Sequence, residues 1–245
     1  MPPFFGDDSM NGKKRSLAVR TLRLLLALVV IGLILSVGAV VVLRWVNPPT
    51  TAFMLGDRIE AWRDGDAKYR LRHEWVAWPR IPAAMRLAVV AAEDQTFPTH
   101  HGFDLKSIND ALEDRESGRR VRGASTISQQ VAKNLFLWPG KNWIRKGLEA
   151  WFTVLIEALW TKQRILEVHL NVAEFGHGIY GIGAAATIFF HKPATRLNAS
   201  EAALLAAVLP NPARLHVEKP SRYVRSRQQW ILTQMGRMGG LKLSS

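Results

Sequence analysis

The clearest feature of the hydrophobic pattern is an uncharged apolar run, Leu24 to Leu43, followed at once by Arg44-Trp45-Val46-Asn47-Pro48-Pro49. Such a run is long enough to cross a hydrocarbon core of about 30 Å as one helix. No small-residue cleavage site follows it, so it reads as a retained anchor and not a removable leader. Lys13, Lys14, Arg15, Arg20 and Arg23 precede the run, and Arg44 alone follows it closely. That asymmetry predicts an N-terminus in the cytoplasm and everything after Trp45 outside. Met1 to Ser16 is polar and basic and is expected to be a disordered tail.

Beyond the anchor, apolar positions recur at helical spacing, and no run alternates convincingly with period two. Pro48 to Trp78, with Trp62, Trp75 and Trp78 among charges, reads as a connector with one short element. Ile81-Pro82 opens a helix that turns Met85, Ala88, Val89 and Ala92 inward and ends near Glu93-Asp94, before Phe97-Pro98. A second short helix is expected over Phe103 to Glu116. Glu113 to Arg122 is charged, has no apolar stripe, and predicts a mobile loop. Thr126 and Gln129 form a capping-box pattern, and Trp138-Pro139-Gly140 stops the helix they open. One long helix is predicted from about Asn142 to about Leu170. Asn198 and Glu201 repeat the box ahead of an Ala/Leu-rich helix that Pro210-Asn211-Pro212 ends, and Ser221 to Met238 is a basic amphipathic helix. The prediction is a mainly α domain behind one transmembrane helix. Its parts are a basic tail (1–23), the anchor (24–43), a connector (44–77) and a domain (78–245).

Two helices carry polar stripes on otherwise apolar bodies. Thr126, Gln130, Lys133 and Asn134 share one helix side, while Ile127, Val131 and Leu135 line another. Lys146, Glu149, Thr153 and Glu157 form the second stripe. Paired, such helices could build a polar cleft inside an apolar body. Lysine and arginine total 33 against 20 acidic residues, a net charge of +13. That excess calls for an anionic partner: phospholipid, nucleic acid or a phosphate-bearing substrate. The predicted topology holds the basic domain outside the cytoplasm, so nucleic acid is not expected. The absence of cysteine excludes thiol catalysis, disulfides and zinc–thiolate sites.

Glu93 and Asp94 lie at a helix C-terminus, where the macrodipole disfavours negative charge, a setting that raises a carboxylate pKa and suits a general base. An exposed acidic helix end is the alternative. Arg145, Lys146 and Glu149 are either a surface ion-pair cluster or charges placed for function on a largely buried helix. Lys133 is either a phosphate-binding ammonium or a solvated lysine. Glu201 reads as a cap. Gly176 to Gly183 lacks a preceding strand and is a poor nucleotide loop.

Taken together, these stretches resemble glycosyltransferase family 51, the glycan-polymerising domain of peptidoglycan synthases, from about Trp78 to Met235. Glu93-Asp94-x-x-Phe97-x-x-His100-x-Gly102-Phe103 is similar to the first family motif. Gly123-x-Ser125-Thr126-Ile127-x-Gln129-Gln130-x-x-Lys133-Asn134 resembles the second and is highly specific, and Arg145-Lys146-x-x-Glu149 resembles the third. Ile165-Leu166-Glu167-x-His169-Leu170-Asn171 is similar to the fourth, with His169 where an aromatic is usual. Leu197-x-x-x-Glu201-Ala202-Ala203-Leu204 resembles the fifth. Phe189-Phe190-His191-Lys192 stands where the family often has an aromatic-Phe-Gly-Lys run. No transpeptidase stretch precedes Ser245, which points to the monofunctional members.

The resemblance implies a lysozyme-like, two-lobed helical domain with a smaller membrane-proximal jaw, and polymerisation of lipid II at the bacterial inner membrane. Glu93 would be the general base on the acceptor hydroxyl. Glu149 would assist at the pyrophosphate leaving group, through a divalent ion or by orienting neighbouring bases. Lys133, Arg145 and Lys146 would bind pyrophosphate. Thr126 and Gln130 would place donor sugar or phosphate, with Ser125 and Asn134 completing the substrate-binding set. Asp94, Phe97 and His100 would hold the base in position. No cofactor is obligatory on this basis, and magnesium or manganese is the divalent ion for which it leaves room. The implied partners are lipid II, the growing lipid-linked glycan and membrane phospholipid, which Leu135 to Trp138 and Trp143 would meet. Cell-wall synthesis or division proteins are compatible with it. Two rivals remain: a lysozyme-like lytic hydrolase, against which the cation cluster argues, and a non-catalytic scaffold, against which the intact glutamates argue.

Overall fold

The computed structural model describes residues 8–104, 109, 110, 113, 117, 125–140 and 142–243, with side chains from residue 19 onward. It divides into two compact units, Met1–Trp45 and Val46–Ser245. The first is helix α1, Asp8–Leu43. Within it Val19–Leu43 is long and apolar enough to cross a membrane, with a mean hydropathy of 3.1 over an 18-residue window. The helix starts well before Leu24. Residues 8–16 therefore belong to it, where a disordered tail was expected; Lys, Arg and Met are good helix formers and the apolar helix propagates back through them.

The second unit is built from α2 (Ala52–Arg63), α3 (Ala83–Glu93), α4 (Ile127–Phe136), α5 (Trp143–Leu159), α6 (Lys162–Val172), α7 (Gly181–Phe190), α8 (Ala199–Val208) and α9 (Arg222–Met238). From Ala202 onward helix α8 is apolar on every side, and Ala202 to Val208 are all buried. A helix of that composition has to sit inside, and it packs between α3 and α9. Helix α4 packs on α2, α5 and α6. Both capping boxes form, Thr126 with Gln129 and Asn198 with Glu201, so each helix start is fixed by its own sequence. The helix expected over Phe103 to Glu116 and the charged loop over Glu113 to Arg122 lie largely outside the described residues.

The predicted long helix is two. Trp160 adopts an extended conformation and Thr161 caps α6, its hydroxyl accepting from the Arg164 N–H at 3.2 Å. The apolar pattern runs through the break unchanged, because both helices bury the same kind of face. Three short strands were also invisible to periodicity, being too short to alternate. β1 (Arg72–His73) runs parallel to β3 (Ile179–Tyr180), which pairs antiparallel with β2 (Glu174–Gly176). The glycine pattern here serves packing: a Cβ on Gly183 would lie 2.4 Å from the Glu74 carbonyl oxygen.

Helix α6 uses two faces. Glu167 accepts from the Trp78 N–H at 2.9 Å, and the Asn171 amide brackets Val76, accepting at 2.7 Å and donating at 2.9 Å. These residues, four apart, fasten the chain before α3. His169, two residues from each, points the other way.

Candidate active site

Helix α3 ends where Asp94 turns to an extended φ, which leaves the last helical side chain, Glu93, pointing into the body. That side chain is 11% exposed. One carboxylate oxygen accepts from Gln130 Nε2 of α4 at 3.0 Å, the other from Arg227 Nη2 of α9 at 3.3 Å. Its pKa is raised, chiefly because burial disfavours the charge, and Gln130 and Arg227 oppose the rise. Burial, more than the helix end, makes this carboxylate an effective proton acceptor.

Asp94 does different work. It accepts from the Ile127 N–H, the first turn of α4, at 2.9 Å and from His100 Nε2 at 2.9 Å. A carboxylate there meets the positive end of α4, so Asp94 clamps α3 to α4. The Gly102 N–H donates to His100 Nδ1 at 3.0 Å, which leaves the imidazole hydrogen on Nε2. Gly102 itself requires its residue type: φ is +89°, and a Cβ would come within 2.9 Å of Thr153 Cγ2. Phe97 is fully buried, with the Lys162 ammonium 4.7 Å from its ring centroid. Lys162 also donates to Glu157 at 2.9 Å and to the His100 carbonyl at 2.6 Å, tying the start of α6 to this loop.

The α4 stripe divides. Thr126 is buried, and its hydroxyl donates to the Gly102 carbonyl at 2.7 Å, so it fastens the framework. Ser125 is exposed and Asn134 half-buried. Gln130 bridges to Glu93. Lys133 lies under the Phe53 ring of α2, 5.1 Å from its centroid, and among the described residues it makes no hydrogen bond or ion pair. Burial pushes its pKa down; Glu149 and Glu93 pull it back up, while Arg145 and Lys146 press it further down. Its ammonium is thus within the field of both carboxylates.

Helix α5 turns its stripe inward: Glu149 and Thr153 are buried, and the Glu157 side chain is 7% exposed. Each Glu149 oxygen accepts from one cation, Arg145 Nη1 at 3.0 Å and Lys146 Nζ at close range. Arg145 is buried and its Nε has no hydrogen-bond partner among the described residues, whereas the Lys146 side chain is 46% exposed. Both carboxylate oxygens are therefore occupied, and among the described residues no three His, Asp or Glu side chains converge as a metal site. This donor set does not fit a protein-held divalent ion. In this geometry Glu149 orients Arg145 and Lys146.

The structure thus gathers Glu93, Asp94, Phe97, His100 and Gln130 on one side and Arg145, Lys146 and Glu149 in a second cluster, with Lys133 coupled to both. Two groups escaped sequence reasoning. Arg227 is far along the chain from Glu93 and looked like one more base on an amphipathic helix. His169, fully buried, faces Gln130 Oε1 at 3.1 Å. The apolar stretch near Trp138 also differs from expectation. Leu135 and Leu137 are core residues, while Trp138, Trp143 and Ile144 are exposed, the last two at 91% and 77%.

A model of the transglycosylase family matches residues 61–236. The biosynthetic peptidoglycan transglycosylase of Xanthomonas euvesicatoria pv. vesicatoria is 51% identical over 238 residues, 96% of this chain and 96% of its own. The protein of that name from Cronobacter sakazakii is 51% identical over 231 residues, covering 94% and 96%. That from Stutzerimonas stutzeri is 54% identical over 226 residues, covering 92% and 91%. Fold and site define a mainly helical, lysozyme-like enzyme domain behind an apolar N-terminal helix that suits a single-pass anchor. The chain belongs to the transglycosylase family.

Proposed function

We propose that this peptidoglycan glycosyltransferase of cell-wall synthesis polymerises lipid II into β-1,4-linked glycan with release of undecaprenyl pyrophosphate. The observation that carries this is Lys133: a largely enclosed cation, unpaired among the described residues, in the field of Glu93 and Glu149. A hydrolase of neutral glycan has no use for such a site. An anionic leaving group does, and the names of the relatives supply peptidoglycan as the product class.

In this reading Glu93 takes the proton from the 4-hydroxyl of the incoming N-acetylglucosamine. The freed oxygen attacks the anomeric carbon of the lipid-linked strand. The bond from that carbon to pyrophosphate breaks, and the pyrophosphate leaves with the electron pair into the field of Lys133, Arg145 and Lys146. Inversion from α to β requires in-line attack, so base and leaving-group cations must flank the sugar from opposite sides. Asp94, His100 and Phe97 hold the base, Thr126 fixes the start of α4, and Gln130 and Asn134 border the donor, with Ser125 at the rim. The test is incubation of the purified full chain with labelled lipid II. Polymer that lysozyme digests is expected. Solubilisation of purified sacculi without lipid II-dependent polymer would instead make it a lytic enzyme.

The domain, taken as 78–245, is placed outside the inner membrane, with the N-terminus in the cytoplasm and Trp138, Trp143 and Ile144 available to phospholipid. The basis is the charge asymmetry around the anchor. A reporter active only outside the cytoplasm, fused after Ser245, should be active. Activity of a cytoplasm-only reporter at that position would reverse the topology.

A further inference from the structure

His169 is the buried titratable group that the proposed chemistry leaves without a task. It lies on the face of α6 opposite Glu167 and Asn171, with no exposed surface. Its Nε2 is 3.1 Å from Gln130 Oε1, and Gln130 Nε2 is 3.0 Å from Glu93 Oε2. Three side chains from three helices thus form one line ending on the base. We propose that His169 is a positioning residue for the reaction, acting through Gln130 to fix the orientation of the Glu93 carboxylate. This deepens the function proposed above and rests on it for Glu93 being the base.

The polarity of the amide makes the line directional. An amide NH2 donates and its oxygen accepts, so a Gln130 whose NH2 serves Glu93 must offer its oxygen to His169. His169 must then carry its hydrogen on Nε2. The reversed amide would set its oxygen against a carboxylate, two acceptors face to face. His169 Nδ1 is buried and has no hydrogen-bond partner among the described residues. With the hydrogen on Nε2, that orphan is a bare lone pair and not an unsatisfied N–H, the cheaper of the two. A doubly protonated ring would place an unpaired N–H there and a charge near Lys133. Burial, with Lys133 adding to it and Asp94 opposing, lowers the His169 pKa to about 4. The ring therefore stays neutral above that range, and the direction of its donor does not change with pH. The other charged groups facing this line are Arg227 from α9, on Glu93, and Lys133 from α4.

The effect is predicted on Glu93 itself. Without the His169 donor, the Gln130 amide can rotate and Glu93 loses its oriented hydrogen bond for part of the time. A weakened bond to an ionised group raises the carboxyl pKa by about one unit. His169→Leu should move the acidic limb of kcat/KM, and the Glu93 carboxyl titration followed by 13C NMR, upward by about one pH unit. KM for lipid II and the alkaline plateau should stay within about twofold. His169→Gln, whose amide N–H can reach Gln130, should recover at least half of the shift. In a Gln130→Leu background, His169→Leu should add nothing. A folded His169→Leu protein with an unmoved Glu93 titration would overturn the proposal, as would a full shift in the Gln130→Leu background. Should His169→Leu fail to fold, 15N spectra of histidine-labelled wild type decide: hydrogen on Nε2 supports the relay and hydrogen on Nδ1 overturns it. Because the carboxyl titration needs no turnover, it judges the relay even if the protein fails to polymerise lipid II, a result that would sink only the function proposed above.

Discussion

Glu93→Gln should lose roughly 10²–10⁴-fold in polymerisation rate, the range expected when a general base is removed. The substitution keeps size but cannot take a proton and offers one acceptor oxygen where Glu93 offered two, to Gln130 and Arg227; it leaves Lys133, Arg145 and Lys146 untouched. Affinity for a pyrophosphate-linked sugar should therefore hardly change. The same variant should lack a pH dependence of stability that wild type has. The Glu93 pKa is raised above its ordinary 4.5 in the folded protein, so folding favours the protonated form. Its contribution to stability is full below pH 4.5 and is lost as pH rises through the folded-state value. Glutamine removes that loss, so the difference in melting temperature should move in the variant's favour between pH 4 and pH 8. A wild-type rate for Glu93→Gln would end the mechanism; a difference that does not change with pH would refute the burial argument alone.

Lys146→Ala and Glu149→Ala should both lose most turnover, but only one should lose stability. Lys146 is nearly half exposed, and an ion pair of that kind contributes about 0–1 kcal/mol to folding. Its removal should leave the melting temperature almost unchanged while the leaving group loses a cation. Lys146→Arg should keep part of the activity, having the charge but a different geometry. Glu149 is buried and paired with the equally buried Arg145. Breaking such a pair strands a charge and costs about 3–5 kcal/mol. Calorimetry beside a lipid II assay separates the two. Near-normal turnover in Lys146→Ala would reduce that residue to a solvated lysine, and unchanged melting of Glu149→Ala would mean Arg145 finds another partner.

The sequence exposed what is local. Capping boxes, proline stops and the stripes on α4 and α5 depend on residues within a turn or two of each other. Thr126, Gln130 and Lys133 could therefore be placed on one helix side from spacing alone. What remained hidden is what the chain brings together from afar. Asp94 reads as the second member of an acidic pair, and only its 2.9 Å contact with the Ile127 N–H makes it a clamp. Arg227 and Glu93 lie 134 residues apart, and no pattern on α9 singles out one arginine among several. The break at Trp160 escaped for a different reason. Helix–helix packing there wants the same apolar face before and after the gap, so periodicity carries no mark of it. His169 was visible only as an odd residue in an otherwise familiar motif. Its partner on α4 could not be named without the fold.

The bond from the Thr126 hydroxyl to the Gly102 carbonyl has a use in protein engineering. It joins, at 2.7 Å, two points 24 residues apart, and Asp94 fastens the neighbouring residue Ile127 independently. The chain therefore departs from the framework and rejoins it at one stapled seam. Because each doubling of a closed loop adds only about 0.6 kcal/mol in entropy, a connection of different length between the two stapled points should leave the base where it is.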